Sequence, residues 1–99
     1  MVKVEQLVND NGNPSNNQVV LTEGYKVTFV SYGTPIAKID KKRQSVTIGT
    51  SYRYSKTTMK HLLIFLRDYA STILPYRPQS ICDVDKWIDR KVVKRTKRW

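Results

Sequence analysis

The spacing of the apolar residues changes once, near residue 50, and this change constrains the fold more than any other feature of the sequence. Before it, Tyr25, Val27 and Phe29 alternate with polar residues, which is the period of two typical of a half-buried strand. After it, apolar residues recur at spacings of three and four, which is the period of an amphipathic helix. The sequence therefore predicts an α+β fold in which a sheet is followed by helices.

The first fifty residues are expected to form an antiparallel β-meander of four to five short strands. Residues 9–14 are rich in Asn, Gly and Pro, so we expect a turn and a loop after the first strand. Shorter turn signals at 23–24, 33–35 and 41–44 separate the later strands. The expected strands begin at Val2 and then cover residues 18–22, 25–29, 36–40 and 45–48.

A core helix is expected over residues 55–74. Ser55 is its predicted N-cap, because a serine hydroxyl can accept a hydrogen bond from a free amide of the first turn. The helix must end near Pro75, whose ring disfavours helical backbone at the preceding residue. Its apolar face consists of Met59, Leu62, Leu63, Leu66, Tyr69, Ala70 and Ile73.

A basic C-terminal helix and tail are expected over residues 80–99. Ser80 and Asp83 resemble a capping box in which Asp replaces the usual Glu. With the meander and the core helix, this segment completes one domain over residues 1–99, a length that can fold without disulfides or metals. The apolar stripe of the second helix consists of Ile81, Val84, Ile88 and Val92.

Positive charge is concentrated in the second half of the chain. The 99 residues carry 18 Lys and Arg against 8 Asp and Glu, a net charge of +10. Residues 1–50 hold six of the cations and four of the acids, whereas residues 51–99 hold twelve and four. A field of this sign attracts polyanions, namely nucleic acid, an anionic membrane or an acidic protein surface. Solubility alone is the remaining explanation.

The basic tail is the first part of a candidate nucleic-acid-binding surface. Each phosphate that a Lys or Arg neutralises releases condensed counterions, which makes binding favourable and sensitive to salt. The alternatives are a solvated run of charge that complements the helix dipole, and an acidic protein partner. The candidate residues in the tail are Arg90, Lys91, Lys94, Arg95, Lys97 and Arg98.

The junction before the core helix is the second part of this candidate surface. Tyrosines among cations are typical of single-strand binders, where the rings stack on unpaired bases. Tyrosines at strand ends also commonly serve in packing, with only the hydroxyl in water. The candidate residues are Tyr52, Arg53, Tyr54, Lys56 and Lys60, and Tyr32 and Tyr76-Arg77 would extend the surface.

The sequence predicts no enzyme, no metal site and no cofactor. The single His61 and the single Cys82 cannot supply a structural zinc site, and neither has a catalytic partner at a suitable spacing. Residues 49–57 do not form a phosphate loop, because Thr50 and Ser55 stand where that loop needs glycine. The acids near the start of the second helix are explained by the helix dipole.

Seven short motifs spread over the first seventy residues carry a family resemblance. They are Asn11-Gly12-Asn13, Asn17-Gln18, Ser31-Tyr32, Ile36-Ala37-Lys38-Ile39-Asp40, Tyr54-Ser55-Lys56-Thr57-Thr58, Lys60-His61-Leu62 and Phe65-Leu66. Through them the chain resembles a small uncharacterised family associated with bacteriophages and mobile elements of bacteria. This resemblance lends no activity; it implies an accessory phage protein that acts in the host cytoplasm or in the virion. The basic stretch after Ser80 lies outside it.

We therefore expect a non-enzymatic phage accessory protein that binds nucleic acid, DNA more than RNA, through a basic C-terminal patch. Weak sequence specificity is expected, because phosphate contacts position a protein without reading bases. The alternatives are an interaction module or inhibitor that docks on an acidic surface of a host protein, and a virion structural component. We expect no membrane partner and no secretion, since the longest apolar run, at 62–66, is far shorter than the ~20 residues of a membrane span.

Overall fold

A six-stranded sheet, with its strands in chain order from edge to edge, forms the body of the computed structural model. The structure describes residues 2–8, 12 and 14–96. The first five strands pair antiparallel in succession, and the sixth pairs parallel with the fifth. The strands are β1 (Val2–Val8), β2 (Pro14–Glu23), β3 (Lys26–Ser31), β4 (Thr34–Asp40), β5 (Ser45–Gly49) and β6 (Lys94–Thr96).

A 3-10 turn (Thr50–Arg53) and two helices, α1 (Lys56–Tyr69) and α2 (Ile81–Asp89), lie between β5 and β6. Both helices contribute buried side chains to one core with the sheet. The predicted α+β class is confirmed, but the number of strands was underestimated, because the sheet has six rather than four or five. The additional strand, β6, falls in the predicted basic tail, where Lys, Arg and Thr give no apolar alternation to indicate a strand.

The core lies on one face of the sheet. Val27, Phe29 and Ile39 point to this face and are fully buried, and the ring of Phe29 stacks on that of Phe65 in α1 with centroids 5.5 Å apart. In β5 and β6, the register pairs Ile48 with Arg95 on the same face. The next residue back along β6, Lys94, therefore lies on the opposite face, because strand side chains alternate.

A tight two-residue turn joins β3 to β4 and exposes an aromatic ring. Tyr32 and Gly33 both have positive φ, 50° and 77°, which is the signature of a type I′ hairpin turn. Such turns suit the twist of the flanking strands, and Asn or Gly usually stands where Tyr32 is found. The turn holds the Tyr32 side chain outside the core, with 47% of its surface exposed.

The predicted N-cap of the core helix is confirmed. The Ser55 hydroxyl accepts a hydrogen bond from the backbone N–H of Thr58 at 3.1 Å. The Thr58 hydroxyl is itself buried and shares a 2.8 Å hydrogen bond with Ser31 at the end of β3. This pair of contacts fixes the start of α1 against the sheet.

The core helix ends earlier than its apolar face predicts. It stops at Tyr69, and the N–H groups of Ile73 and Leu74 both donate to the Ala70 carbonyl at 3.0 Å in a turn beyond the helix. Leu74 is nevertheless buried. Apolar residues at 73 and 74 therefore serve the core without continuing the helix, which the spacing alone does not reveal.

The predicted second helix is present, but it is shorter than its apolar stripe implies. The second helix ends at Asp89, and the chain reverses to place Lys94–Thr96 beside β5. The predicted stripe also fails at its end, because Val92 is 43% exposed whereas Val93 is buried. Pairing with β5 and burial of Val93 outweigh the weak helical signal after residue 89.

The predicted capping box is only partly present. The Ser80 side chain makes no capping hydrogen bond, although Ser80 does occupy the N-cap position of α2. The Asp83 carboxylate accepts instead from the backbone N–H of Gln79 at 2.9 Å.

Across the described residues, no helix is long and apolar enough to cross a membrane.

Candidate nucleic-acid interface

The turn between α2 and β6, together with the first residue of β6, presents three exposed cations, Arg90, Lys91 and Lys94, which we call the basic turn. The backbone of this turn is a Schellman motif, in which the N–H of Lys91 bonds the Ile88 carbonyl at 3.2 Å and that of Val92 bonds the Trp87 carbonyl at 2.8 Å. Lys91 has a φ of 59°, the left-handed conformation usually given to glycine at this position. Arg90 and Lys91 therefore stand on a turn whose backbone is fixed by hydrogen bonds, and Lys94 follows as the first residue of β6.

Two further predicted cations, Arg53 and Arg95, lie around the ring of Tyr52. Their guanidinium carbons are 5.7 and 5.8 Å from its centroid, within the range of cation–π attraction. Arg53 also forms an ion pair with the Asp85 carboxylate, which accepts a 2.5 Å hydrogen bond from the Tyr52 hydroxyl. These contacts join the 3-10 turn, α2 and β6 at one corner of the molecule.

Burial and the charges at this corner shift the pKa values of three side chains. Burial raises the pKa of the Asp85 carboxyl, but the hydrogen bonds from Tyr52 and Arg53 and the charge of Arg53 outweigh burial, so this pKa lies below its ordinary value. The hydrogen bond to Asp85 raises the pKa of the Arg53 guanidinium. Burial, followed by the hydrogen bond to Asp85, raises the pKa of the Tyr52 hydroxyl. Asp85 is thus an ionised carboxylate already committed to internal partners.

Tyr52 does not fit the predicted stacking role. Only 7% of its surface is exposed, because the ring belongs to the core and the two arginines lie over it. Tyr54 is 69% exposed and lies against Tyr32, with ring centroids 6.0 Å apart and the planes at 53°. We call Tyr32 and Tyr54 the tyrosine pair. Unlike Tyr52, both of these rings are exposed to solvent.

Cations also line the exposed face of α1. Lys56 and Lys60 are exposed, lie four residues apart and therefore share one side of the helix. A small cavity of about 170 Å³ extends this side, and Lys60, Arg67, Arg77 and Pro78 are among its lining residues. It opens beside a larger cavity of about 400 Å³ whose lining includes Arg67, Tyr76 and Arg77.

The sequence indicated Tyr76-Arg77 only as an extension of the interface and gave no sign of a cavity. Residues 67 and 77 are ten positions apart, and only the turn after α1 brings them to the same two cavities.

The predicted cations do not form a single helical face, since Lys94 and Arg95 lie on opposite sides of β6. Lys97 and Arg98 lie outside the described residues.

The described residues show no arrangement suited to metal binding, since no three His, Cys, Asp or Glu side chains among them come together. His61 is buried, and its Nδ1 lies 2.8 Å from the Thr57 carbonyl in the preceding turn of α1. His61 thus makes a polar contact within its own helix. Cys82 is a free, exposed thiol.

Comparison with known proteins gives a family and no activity. The model of a family of unknown function, DUF8033, matches residues 2–83. The match includes β1 to β5 and α1 and ends within α2, before the basic turn. Neither the curated proteins nor the solved structures gave a match.

Proposed function

This chain belongs to the DUF8033 family of unknown function, and we propose that it is a non-enzymatic protein that binds nucleic acid with weak sequence preference. The proposed contact is made to phosphates by the basic turn, Arg90, Lys91 and Lys94. Arg95, Lys56 and Lys60 supply further positive potential. The tyrosine pair would lie at the border of this surface.

The observation that carries the proposal is the charge left over after internal pairing. Between residues 86 and 95 the chain has five cations and one carboxylate, Asp89. None of the three cations of the basic turn has an ion pair among the described residues, and the nearby Asp85 is taken by Arg53 and Tyr52. Unpaired surface cations gain the most from a polyanion, because each contact releases condensed counterions.

The source and location of the protein belong to the same proposal. We interpret it as an accessory protein of a bacteriophage or mobile element, acting in the host cytoplasm or in the virion. The support is the resemblance of the motifs in the first seventy residues. DNA is favoured over RNA as the partner in either location. Fractionation of infected cells and purified virions, followed by detection of the chain, would test this interpretation.

The direct test is fluorescence anisotropy with labelled single-stranded and duplex DNA and RNA at about 50 to 300 mM salt. We expect micromolar or tighter binding with a steep salt slope. The triple variant Arg90→Gln, Lys91→Gln, Lys94→Gln should lower that slope by up to about 2.7, at about 0.9 per duplex phosphate contact. The matched control Lys41→Gln, Lys42→Gln, Arg43→Gln removes the same charge from the β4–β5 turn.

Two results would contradict the proposal. Equal loss in both triple variants would mean that net charge, and not the basic turn, determines binding. Absence of binding at the lowest salt would favour the second expected function, docking on an acidic host protein, because a one-sided field accelerates protein association too. A stoichiometric partner retained from nuclease-treated host lysate would then identify that function.

A further inference from the structure

A groove separates α1 from the segment of residues 74–79. Its larger part has a volume of about 400 Å³, which is within the usual range of small-molecule pockets. Leu66, Leu74 and Pro75 contribute apolar lining, and Arg67 and Arg77 contribute charge. The smaller part, about 170 Å³, adds Lys60 to the same groove.

Tyr76 gives the groove an aromatic wall that is held in place. Its ring lies against that of Trp87 in α2, with centroids 5.2 Å apart and planes at 54°. Trp87 is only 2% exposed, so it is a fixed support, whereas Tyr76 keeps 48% of its surface exposed. A half-exposed ring fixed by a buried one suits stacking, because little conformational entropy is lost when a base binds to it.

The charges of the groove are net positive. Asp68 lines it too, but its Oδ1 lies 3.1 Å from the Arg67 Nε, so these two charges compensate each other. Lys60 and Arg77 have no ion pair within residues 2–8, 12 and 14–96. Two cations therefore remain at one groove beside an apolar and aromatic lining.

We infer that this groove accepts one unpaired nucleotide of a single strand. The base lies against Tyr76 and the apolar lining, and the phosphate contacts Arg77 and Lys60. The inference rests on the proposed function and adds to it a contact that only a single strand can make, because a base stacked within a duplex cannot enter such a groove. Trp87 links the groove to the basic turn, because its ring supports Tyr76 and its carbonyl accepts from the N–H of Val92.

Trp87 provides the readout. In a Trp99→Phe background it is the only tryptophan of the chain, which has two. We would titrate this protein with a twelve-residue thymidine oligonucleotide and with the corresponding thymidine–adenosine duplex. The single strand should change Trp87 fluorescence and the duplex should not, because only the single strand offers a base to Tyr76.

Two substitutions test the contacts separately. Tyr76→Leu keeps apolar packing on Trp87 but removes the ring, so single-strand affinity should fall about tenfold while duplex affinity stays unchanged. The control Tyr25→Leu alters a 64% exposed tyrosine in the β2–β3 turn and should change neither. Arg77→Gln, which leaves the ring, should lower the single-strand salt slope by about 0.7. Thermal melting of each variant verifies its folding.

The outcomes separate this inference from the proposed function. If Tyr76→Leu and Tyr25→Leu bind the single strand within twofold of each other, the inference is overturned, and duplex binding through the basic turn still stands. An equal change in Trp87 fluorescence with the duplex would also overturn the inference but leave duplex binding through the basic turn in place. If the unaltered chain binds neither strand type at about 50 mM salt, both the inference and the proposed function fail.

Discussion

The Tyr52 hydroxyl donates a 2.5 Å hydrogen bond to the Asp85 carboxylate, and the two residues are 33 positions apart in the chain. This contact joins the 3-10 turn that follows β5 to α2, the helix that leads into the basic turn. The same carboxylate forms an ion pair with Arg53, which balances its negative charge. Asp85 is therefore held by internal partners and does not compensate the charge of the basic turn.

Removing this hydroxyl should destabilise the fold. Tyr52→Phe keeps the buried ring and its cation–π contacts with Arg53 and Arg95, but the Asp85 carboxylate loses a donor and the Arg53 Nε loses an acceptor. We expect the free energy of unfolding to fall by about 1 to 2 kcal/mol, as measured by urea denaturation. Tyr25→Phe, which alters a 64% exposed tyrosine, is the control and should change it little. Equal stabilities of the two variants would show that the Tyr52–Asp85 bond contributes nothing.

The lowered pKa of the Asp85 carboxyl predicts an acid-dependent stability. Ionised Asp85 stabilises the fold at every pH above its unfolded-state pKa of about 3.9, and this contribution is lost as the pH falls through the lower folded-state pKa. Asp85→Asn should therefore reduce the change in stability between about pH 5 and pH 2. Part of the pH dependence should remain in this variant, because the pKa of Asp40 is also lowered, mainly by the backbone N–H of Arg43. An unchanged pH profile in Asp85→Asn would refute the assignment.

The sheet and the core helix were predictable because their signals are local. The alternation that includes Val27 and Phe29 and the Ser55 cap each reflect a preference of a few neighbouring residues, and the structure agrees with both. The expected strand 25–29 began too early, because Tyr25 lies in the turn before β3 and is exposed. The strand β6 was not predictable in this way. Its residues, Lys94–Thr96, have no apolar face of their own, and their conformation is set by pairing with β5 and by burial of Val93.

The candidate site also contains features that the sequence predicts and features that depend on tertiary packing. The exposed cations of the basic turn follow from composition, since Lys and Arg rarely lie in the core. The burial of Tyr52, by contrast, depends on Asp85 and Arg95, which the fold brings to it from later in the chain. The groove beside Tyr76 also requires tertiary packing, because its support, Trp87, is eleven residues further along the chain.

Gln18 is a buried polar side chain whose replacement should stabilise the protein. It is fully buried in β2, and neither atom of its amide has a hydrogen-bond partner among the described residues. Gln18→Leu has a similar volume and removes this desolvation cost, so the free energy of unfolding should rise by about 1 to 3 kcal/mol. The measurement is the urea midpoint, and Gln79→Leu at an exposed loop position is the control. A loss of stability would mean that the amide has an unrecognised partner.

Lys91 allows backbone strain to be separated from binding. Because its φ is 59°, Lys91→Gly should relieve the left-handed strain and raise the free energy of unfolding by about 1 kcal/mol. Lys91→Ala keeps the strain, so it should not stabilise the fold. Both variants remove the same charge and should lower the salt slope of duplex binding by about 0.9, if the proposed function holds. If Lys91→Gly stabilises the fold but leaves the salt slope of duplex binding unchanged, the strain in the Schellman motif is confirmed. Lys91 is then excluded from the nucleic-acid interface.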